Sequence, residues 1–354
     1  MNNKQIKPVA ICKSQLSGHR KNSESEVPGW EDWLKEHNIP FEYVDCYRYD
    51  IISKLDKYSG LIWWYENYAI ADLLEAQNIL DIAEKKGLAV YPNHNTAWHF
   101  DDKIAEMYAF QSVGAPIPKS WVFYDKEKCL SWANTKAKYP IVAKLRCGSG
   151  SNNVKLLKTA SEAEAYIKRM FGKGFNPAPS LAYKTFSKVQ STRDWKTFVN
   201  RAKRIPDFLW TRRFAKQLPV EKGYCYFQEF IPNEGYDIKI AVVGDKLSYF
   251  LRNIRKGDFR ASGSGDFYYN NTMIKEQIIK TAFETKDALK MQCIGFDYVV
   301  DNRTGEGKII EMCHGFDRDA VFAAKGWFDR NCQWHDESMN VDYEILNNMF
   351  GGER

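Results

Sequence analysis

Two carboxylates near the C-terminus have the spacing of a cation site. Asp297 and Glu311 lie within 295–314, a stretch that reads as two β-branched strands joined by a Gly-containing turn and so predicts a hairpin. We predict a register in which Val300 lies opposite Lys308, so that the two carboxylates face each other on one side of the sheet. Their repulsion favours a bound cation, and paired oxygen ligands suit Mg²⁺ with nucleotide phosphates. Two solvated carboxylates on an exposed face are the alternative.

A Gly/Ser loop could hold phosphate groups. Lys144 ends a predicted strand that runs into this loop, and a second strand leaves it. The loop residues are Gly148, Ser149, Gly150 and Ser151. Glycines let backbone N–H groups approach phosphate oxygens, and serine hydroxyls add donors. Because the loop joins two strands, it is neither a Walker loop nor a dinucleotide fingerprint. A flexible hairpin tip is the alternative, and Lys144 beside the loop favours the phosphate interpretation.

Further basic side chains could bind the same phosphate groups. Lys103 is predicted in the first turn of a helix capped by Asp101 or Asp102, where its charge gains nothing from the helix dipole, so a ligand-facing role is favoured. Basic residues also crowd a second Gly/Ser loop, 257–265. They are Arg252, Arg255, Lys256 and Arg260. Clustered guanidinium groups near such a loop fit stabilisation of a transferring phosphoryl group.

A strand over 224–232 ends at a proline. A strand that stops there can offer backbone groups to the edge of a purine, with Glu229 as an acceptor. The alternating strand 237–243 follows and pairs with 247–254 through a Gly-Asp turn. A helix over 270–291 then leads to the carboxylate hairpin.

The first hundred residues alternate short apolar runs with helical periods. The runs lie at 9–12, 41–45, 60–64 and 88–91, and the helical periods at 30–37 and 69–86. This alternation predicts a parallel, Rossmann-like α/β sheet, in which ligands bind at the carboxyl ends of the strands. The basic loop 13–21 follows the first strand and could hold an anionic substrate group; a solvated surface loop is the alternative.

Length and composition narrow the class of protein. A chain of 354 residues exceeds the usual single-core size, so two or three domains are expected. No apolar run is long enough to span a bilayer, and residues 1–8 are polar, unlike a signal peptide. The eight cysteines are scattered without a Cys-x-x-Cys pair, which favours reduced thiols in a cytoplasmic protein.

The stretch 184–216 is strongly basic, with ten Lys or Arg against two Asp and with aromatic residues interleaved. This pattern could suit an acidic polymer or nucleic acid. A helical insertion with a solvated basic face is the favoured interpretation, so nucleic acid is not expected. The charge does indicate that any partner of this stretch is anionic.

Taken in order, these motifs resemble the ATP-grasp ligase pattern. The similarity runs from about residue 91 to residue 316, and the ordered set is far more specific than any one motif. Its members are Lys103, Pro140-x-Val142-x-Lys144 with the Gly/Ser loop, Gln228-Glu229-Phe230-Ile231, Asp237-Ile238-Lys239, Asp258-Phe259-Arg260, Asp297 and Glu311. The resemblance implies an α+β ATP-grasp fold of two lobes behind the Rossmann-like domain. The expected domains are 1–100, a central lobe over 101–227 with the basic insertion, and a C-terminal lobe over 228–354.

The resemblance also implies a role for each residue. Lys103 and Lys144 would contact the phosphates of ATP, with the loop 148–151 closing over them. The remaining ATP-binding residues would be Gln228, Glu229, Phe230, Ile231 and Asp237, with adenine held by Glu229 and the backbone of the two residues after it. Arg260 would meet the γ-phosphate, with Arg252 and Lys239 as further catalytic cations. Asp297 and Glu311 would bind Mg²⁺.

Two positions depart from the family pattern. Many members carry Asn two residues after the metal-binding Glu, where this chain has Cys313. A thiol is a poor ligand for Mg²⁺, so we expect water or a nearby side chain to complete the site. Lys239 stands where an Arg is often found, which keeps the charge but loses the bidentate fork.

ATP-grasp ligases typically phosphorylate a carboxylate and let an amine attack the acyl phosphate. The expected function is therefore an ADP-forming ligase that joins a small-molecule or polysaccharide-linked carboxylate to an amine. A phosphotransferase without ligation and a silent nucleotide- or nucleic-acid-binding module are the alternatives; the retained motif residues argue against the silent module. The segment 326–335 is similar to a tail of ATP-grasp proteins from bacterial polysaccharide gene clusters, which adds surface polysaccharide biosynthesis as an expected setting.

Overall fold

The computed structural model describes residues 7–17, 29–148, 153–178, 205–254, 267–270 and 272–351, apart from the side chains of 205–208. Several predicted residues lie outside this part of the chain: Ser149, Gly150, Ser151, Arg255, Lys256, Asp258, Phe259, Arg260 and most of the basic stretch. The described residues divide into two compact units. One is drawn from Met1–Trp98, Pro177–Pro219 and Leu346–Arg354, and the other from His99–Asn176 and Val220–Ile345.

Helices and strands are numbered along the described chain. The helices are α1 Trp30–Glu36, α2 Ile51–Lys54, α3 Ile70–Lys85, α4 His94–Ala97, α5 Lys103–Ser112, α6 Lys126–Thr135, α7 Ala160–Met170, α8 Ile205–Ala215, α9 Glu276–Ala288, α10 Arg318–Ala323 and α11 Val341–Phe350. The strands are β1 Val9–Cys12, β2 Phe41–Val44, β3 Gly60–Trp63, β4 Ala89–Tyr91, β5 Ser120–Phe123, β6 Ile141–Lys144, β7 Val154–Leu157, β8 Cys225–Glu229, β9 Tyr236–Val243, β10 Lys246–Asn253, β11 Phe267–Tyr268, β12 Cys293–Val300, β13 Gly307–Cys313, β14 Trp327–Phe328 and β15 Trp334–His335.

The first unit contains the predicted parallel sheet, in the order β2-β1-β3-β4. The central strands β1 and β3 are buried at every residue, as expected when both faces of a parallel sheet are covered. Asp72, which is 0 % exposed, joins the loops at the carboxyl ends of three strands. It accepts hydrogen bonds from Ser14 Oγ (2.6 Å), Gln15 N (2.9 Å), Glu66 N (2.7 Å) and the hydroxyl of Tyr47.

Part of the region around the basic stretch belongs to the first unit. Ala215 at the end of α8 and Leu218 are buried in one apolar cluster with Leu16 and Tyr68. These contacts add the described residues within 177–219 to the unit that holds the parallel sheet. The domain boundaries predicted at residues 100 and 227 stay a prediction.

The second unit contains two antiparallel sheets with helices, which are the two expected α+β lobes. The smaller sheet has the order β5-β8-β6-β7, and its core joins Ile141 and Phe227 to Ala133 of α6 and Ile167 of α7. Its β6–β7 hairpin carries the first Gly/Ser loop. This lobe therefore presents Lys144 at the end of a fully buried strand.

The larger sheet has the order β13-β12-β9-β10-β14-β15, with β11 paired to β10. Its core packs Ile278 and Phe283 of α9 against Ile240 and Phe296 of the sheet. The helix predicted over 270–291 is shorter than expected, because Asn270 accepts a hydrogen bond from Thr272 N (3.0 Å) in a turn ahead of α9. The segment 326–335 forms the β14–β15 hairpin. No helix among the described residues has the length and apolar character needed to cross a membrane.

Candidate active site

Asp297 and Glu311 lie directly opposite each other in the β12–β13 pair, as the sequence predicts. The predicted register around them is wrong by one residue, because Val300 pairs with Gly307 and not with Lys308. The pairing of the two carboxylates therefore depends on an irregularity that periodicity alone does not show.

That irregularity is a β-bulge at Ile310. Asp297 pairs with Glu311 while the next residue, Tyr298, pairs with Ile309, so Ile310 is left out of the register. Without the bulge, the register near the turn would place Asp297 opposite Ile310. With the bulge, Asp297 lies opposite Glu311. Bulges commonly re-aim side chains beside active sites, and this bulge brings two carboxylates together.

The carboxylates belong to a row of charged side chains that crosses four strands. Asp237 on β9 pairs in register with Arg252 on β10, and Lys239 on β9 pairs with Asp297 on β12. Arg252 holds Asp237 through two hydrogen bonds, one of them from Nε over 3.0 Å. Its Nη2 also lies 3.5 Å from Asp297 Oδ2, and Lys239 forms an ion pair with Asp297. Alternating charges thus satisfy one another across the sheet.

Burial and neighbouring charges shift the pKa values of this row in opposite directions. Burial raises the pKa of Asp237, and the charge of Arg252 opposes that shift. Burial would lower the pKa of Arg252, but the carboxylates of Asp237 and Asp297 raise it above its ordinary value. The arginine therefore stays charged and holds both carboxylates.

Two buried lysines approach Glu311 and the strand that carries it. Lys103 Nζ lies 3.1 Å from Glu311 Oε1 and donates to the carbonyl oxygen of Gly148 over 2.9 Å. Lys144 Nζ donates to the carbonyl oxygen of Ile310, the bulged residue, over 2.9 Å. Each lysine is 5 % exposed. The two ammonium groups and the carboxylate pair thus meet at one place in the second unit.

The first turn of α5 fixes the base of the Gly/Ser loop. Asp102 is the capping residue and accepts from Ile104 N and Ala105 N. Asp101, the other predicted cap, has a φ of 54° and accepts from Gly148 N over 2.7 Å. The unusual left-handed backbone at a non-glycine residue is therefore held by a bond to the loop.

The pKa values of the cluster follow from burial and neighbouring charge. Burial would raise the pKa of Glu311, but Lys103, Lys144 and Lys239 outweigh it and hold the pKa below its usual range. Burial lowers the pKa of Lys144 to about 8. Burial also raises the pKa of Glu106 to about 8, with the charge of Lys103 opposing that shift.

A pocket opens beside this cluster, with an empty volume of about 690 Å³ that includes open solvent at its mouth. Predicted residues from both lobes line it: Lys144, Gln228, Glu229, Phe230, Ile231, Asp237, Arg252, Asp297 and Glu311. Beside Val142 of the predicted motif, the pocket has walls that the sequence analysis missed, formed by Val154, Tyr236, Ile254 and Val299. No sequence signal distinguishes these residues from other apolar residues of the strands.

Glu229 at the end of β8 has a contact that was not predicted. The Glu229 carboxylate, predicted as an acceptor for adenine, lies 3.4 Å from Arg303 Nη2. Arg303 also binds Asp301 on the turn between β12 and β13, with 2.6 Å between Nη2 and Oδ2. The Glu229 side chain thus has a basic neighbour on this turn, and its role as an acceptor for adenine stays a prediction. Arg303 was not expected from the sequence.

The donor set fits Mg²⁺. Two facing carboxylates supply hard oxygen ligands, and Mg²⁺ keeps several waters and phosphate oxygens besides such a pair. Cys313 is bonded locally, since its Sγ accepts from Gly315 N over 3.2 Å, and burial raises the pKa of this thiol to about 12. Within the described part of the chain, no group of three His, Cys, Asp or Glu side chains could hold a metal by itself.

Comparison with solved structures identifies the fold as ATP-grasp. An ATP-grasp RimK domain protein of Sphaerobacter thermophilus superimposes with a TM-score of 0.54 at 12 % identity, over 97 % of this chain and all of that chain. The D-alanine–D-alanine ligase of Bacillus anthracis, solved with ATP, gives a TM-score of 0.52 at 12 % identity, over 97 % of this chain and 96 % of that chain.

Sequence comparison adds a curated relative. The chain is 21 % identical over 224 residues to the alpha-aminoadipate–LysW ligase LysX of Saccharolobus solfataricus. The match spans 63 % of this chain and 65 % of that protein. No protein-family model matches the chain.

Proposed function

We propose that the protein is an ATP-dependent ligase that activates a carboxylate as an acyl phosphate and joins it to an amine, releasing ADP and phosphate. The observation that carries the proposal is the meeting of Lys103, Lys144 and the Asp297–Glu311 pair beside the pocket. Paired ammonium groups suit the phosphates of a nucleotide, and paired carboxylates suit its metal. The ATP-grasp fold supports the same reaction.

The described residues would divide the work as follows. Lys103 and Lys144 would bind phosphate oxygens, and the backbone at Phe230 and Ile231 would face adenine. Asp297 and Glu311 would hold Mg²⁺, which supplies charge stabilisation during phosphoryl transfer. Arg252 and Lys239 would keep Asp297 in place. Arg260 and Ser149 to Ser151, which lie outside the described residues, stay predicted phosphate contacts.

Two similar proteins are named as ligases, which supports a product with an amide bond. LysX is a ligase of alpha-aminoadipate and LysW, and the Bacillus anthracis protein is a D-alanine–D-alanine ligase. We infer that the substrates here are likewise a carboxylate and an amine. The excess of Lys and Arg over 184–216 supports an anionic substrate.

The test is a screen of sugar acids and amino acids, in pairs and singly, for ADP release from Mg·ATP. The proposal predicts ADP release that needs both a carboxylate and an amine. Release that needs one acceptor alone, with a phosphorylated product, would favour the phosphotransferase. AMP and pyrophosphate as products would contradict both.

Two finer expectations remain proposals. All eight cysteines carry free thiols, which supports a reducing compartment such as the cytoplasm. A role in surface polysaccharide biosynthesis stays a prediction from the tail 326–335 alone.

A further inference from the structure

Strand β13, which carries Glu311, is an edge strand. It stands first in the order of the larger sheet, so among the described strands only β12 pairs with it. An edge strand leaves a row of N–H and C=O groups without strand partners, and each such group needs a partner or water. The outer edge of β13 lies beside the smaller lobe, in the same compact unit.

Three polar groups of β13 bind groups from elsewhere in that unit. Ile309 N donates to Pro116 O over 2.8 Å, and Ile310 O accepts from Lys144 Nζ. Met312 N donates to Glu106 Oε2 over 3.1 Å. In a regular strand, residues 309 and 312 would direct their N–H groups to opposite edges. The bulge at Ile310 changes this alternation and lets both point outward.

Glu106 is placed to control the position of Glu311. It lies three residues after Lys103 on α5, so both side chains project from one face of the helix, and it is 4 % exposed. Lys103 contacts the Glu311 carboxylate, while Glu106 holds the main chain of the very next residue, Met312. One helix turn therefore fixes both the side chain and the backbone at Glu311.

We propose that Glu106 is a positioning residue for the metal-binding carboxylate: through its bond to Met312 N, it sets where Glu311 lies relative to Asp297 and Lys103. This inference rests on the proposed function, because it takes Glu311 as a ligand of Mg²⁺. Groups that orient a ligand commonly change metal affinity or activity by about 10- to 100-fold when they are lost.

Two substitutions separate the hydrogen bond from the ability to ionise. Glu106→Gln keeps the length and an acceptor oxygen but cannot ionise. Glu106→Asp can still ionise but is one methylene too short to reach Met312 N. Asp125→Asn serves as the control, because Asp125 also accepts a backbone N–H, from Lys128 over 2.8 Å, and does not line the pocket. All three changes remove little volume, and thermal unfolding checks that each variant is folded.

The experiment measures the binding of AMPPNP by isothermal titration with and without Mg²⁺. The wild type, Glu106→Gln and Asp125→Asn should show the same strengthening by Mg²⁺. Glu106→Asp should lose about 10-fold of that strengthening, with metal-free binding changed less than about twofold. If Glu106→Asp behaves as the wild type, or Glu106→Gln is weakened as much, the positioning role is wrong. If the wild type itself shows no Mg²⁺-dependent binding, the proposed function fails instead.

Discussion

The ammonium group of Lys144 donates a hydrogen bond to the carbonyl oxygen of Ile310 over 2.9 Å. Ile310 is the bulged residue that aligns Asp297 with Glu311. A strand end in one lobe is thus bonded to the irregularity that shapes the carboxylate pair in the other lobe. The lysine that we propose for phosphate binding therefore lies beside the proposed metal ligands.

Lys144→Met should lower the turnover of ATP by about 100- to 1,000-fold, the usual cost of removing one preorganised donor. Steady-state ADP release measures the effect. Lys246→Met is the control, because Lys246 also pairs with a carboxylate, that of Glu344, and does not line the pocket. Equal losses in the two variants would show that general destabilisation, and not the phosphate contact, explains the result.

Asp297→Asn and Glu311→Gln should each lower turnover by orders of magnitude, because the charge stabilisation from a bound metal is worth several kcal/mol. Cys313→Ser should change turnover little, since the thiol is bonded to Gly315. Turnover at a series of Mg²⁺ concentrations measures all three variants. A loss in Cys313→Ser as deep as that in Glu311→Gln would refute the assignment of two protein ligands.

The sequence predicts the strands well because short apolar runs and alternating apolar residues favour strands over helices. The run at 9–12 coincides with β1, and the strand predicted over 237–243 differs from β9 by one residue at its start. The pairing of Asp297 with Glu311 is also predicted, but for an incorrect reason. A bulge depends on tertiary contacts, here those of Ile310 with Lys144, and no local pattern marks it.

Contacts between distant segments are the part that the sequence does not reveal. Glu106 lies in an ordinary helical period, and its bond to Met312 spans 206 positions. Arg303 lies in a turn, where a charged residue normally indicates solvent, yet it reaches Glu229. The sequence does not show which strand forms the edge of the sheet. Glu106 and Arg303 therefore cannot be recognised as functional candidates from the sequence.

Asp72→Asn should lower the free energy of unfolding by about 1–3 kcal/mol, because an amide has one acceptor oxygen, whereas the Asp72 carboxylate uses two acceptor oxygens to bind four donors. Urea unfolding measures the change. The control is Asp45→Asn, since Asp45 is exposed and accepts from Tyr47 N alone among the described contacts. Equal stability of the two variants would contradict the structural role of Asp72.

Comparison of the wild type with Asp72→Asn also tests the ionisation of Asp72. Burial raises the pKa of this carboxyl group, so the native protein binds more protons than the unfolded chain between the ordinary and the raised value. The free energy of unfolding therefore falls as pH rises through that window. Asp72→Asn should lack this component, so the difference between wild type and variant should grow as pH is lowered. A difference independent of pH would show that the pKa is not raised.

Arg212→Ala combined with Arg213→Ala should raise the KM of the anionic substrate and spare the KM of ATP. Both arginines lie in the last turn of α8, within the basic stretch. The effect should shrink as salt rises, since exposed charges are screened over about 8–10 Å at physiological ionic strength. Steady-state kinetics at two salt concentrations decide the question. An unchanged substrate KM at low salt would leave the stretch as a solvated basic face.

The most direct test of the ligase proposal follows one oxygen atom. If the carboxylate attacks the γ-phosphorus and the amine then displaces phosphate, one carboxylate oxygen leaves with that phosphate. With ¹⁸O in the carboxylate identified by the screen, mass spectrometry should find one ¹⁸O in the inorganic phosphate for each amide formed, with ADP as the nucleotide product. Unlabelled phosphate, or label in AMP, would contradict activation through an acyl phosphate.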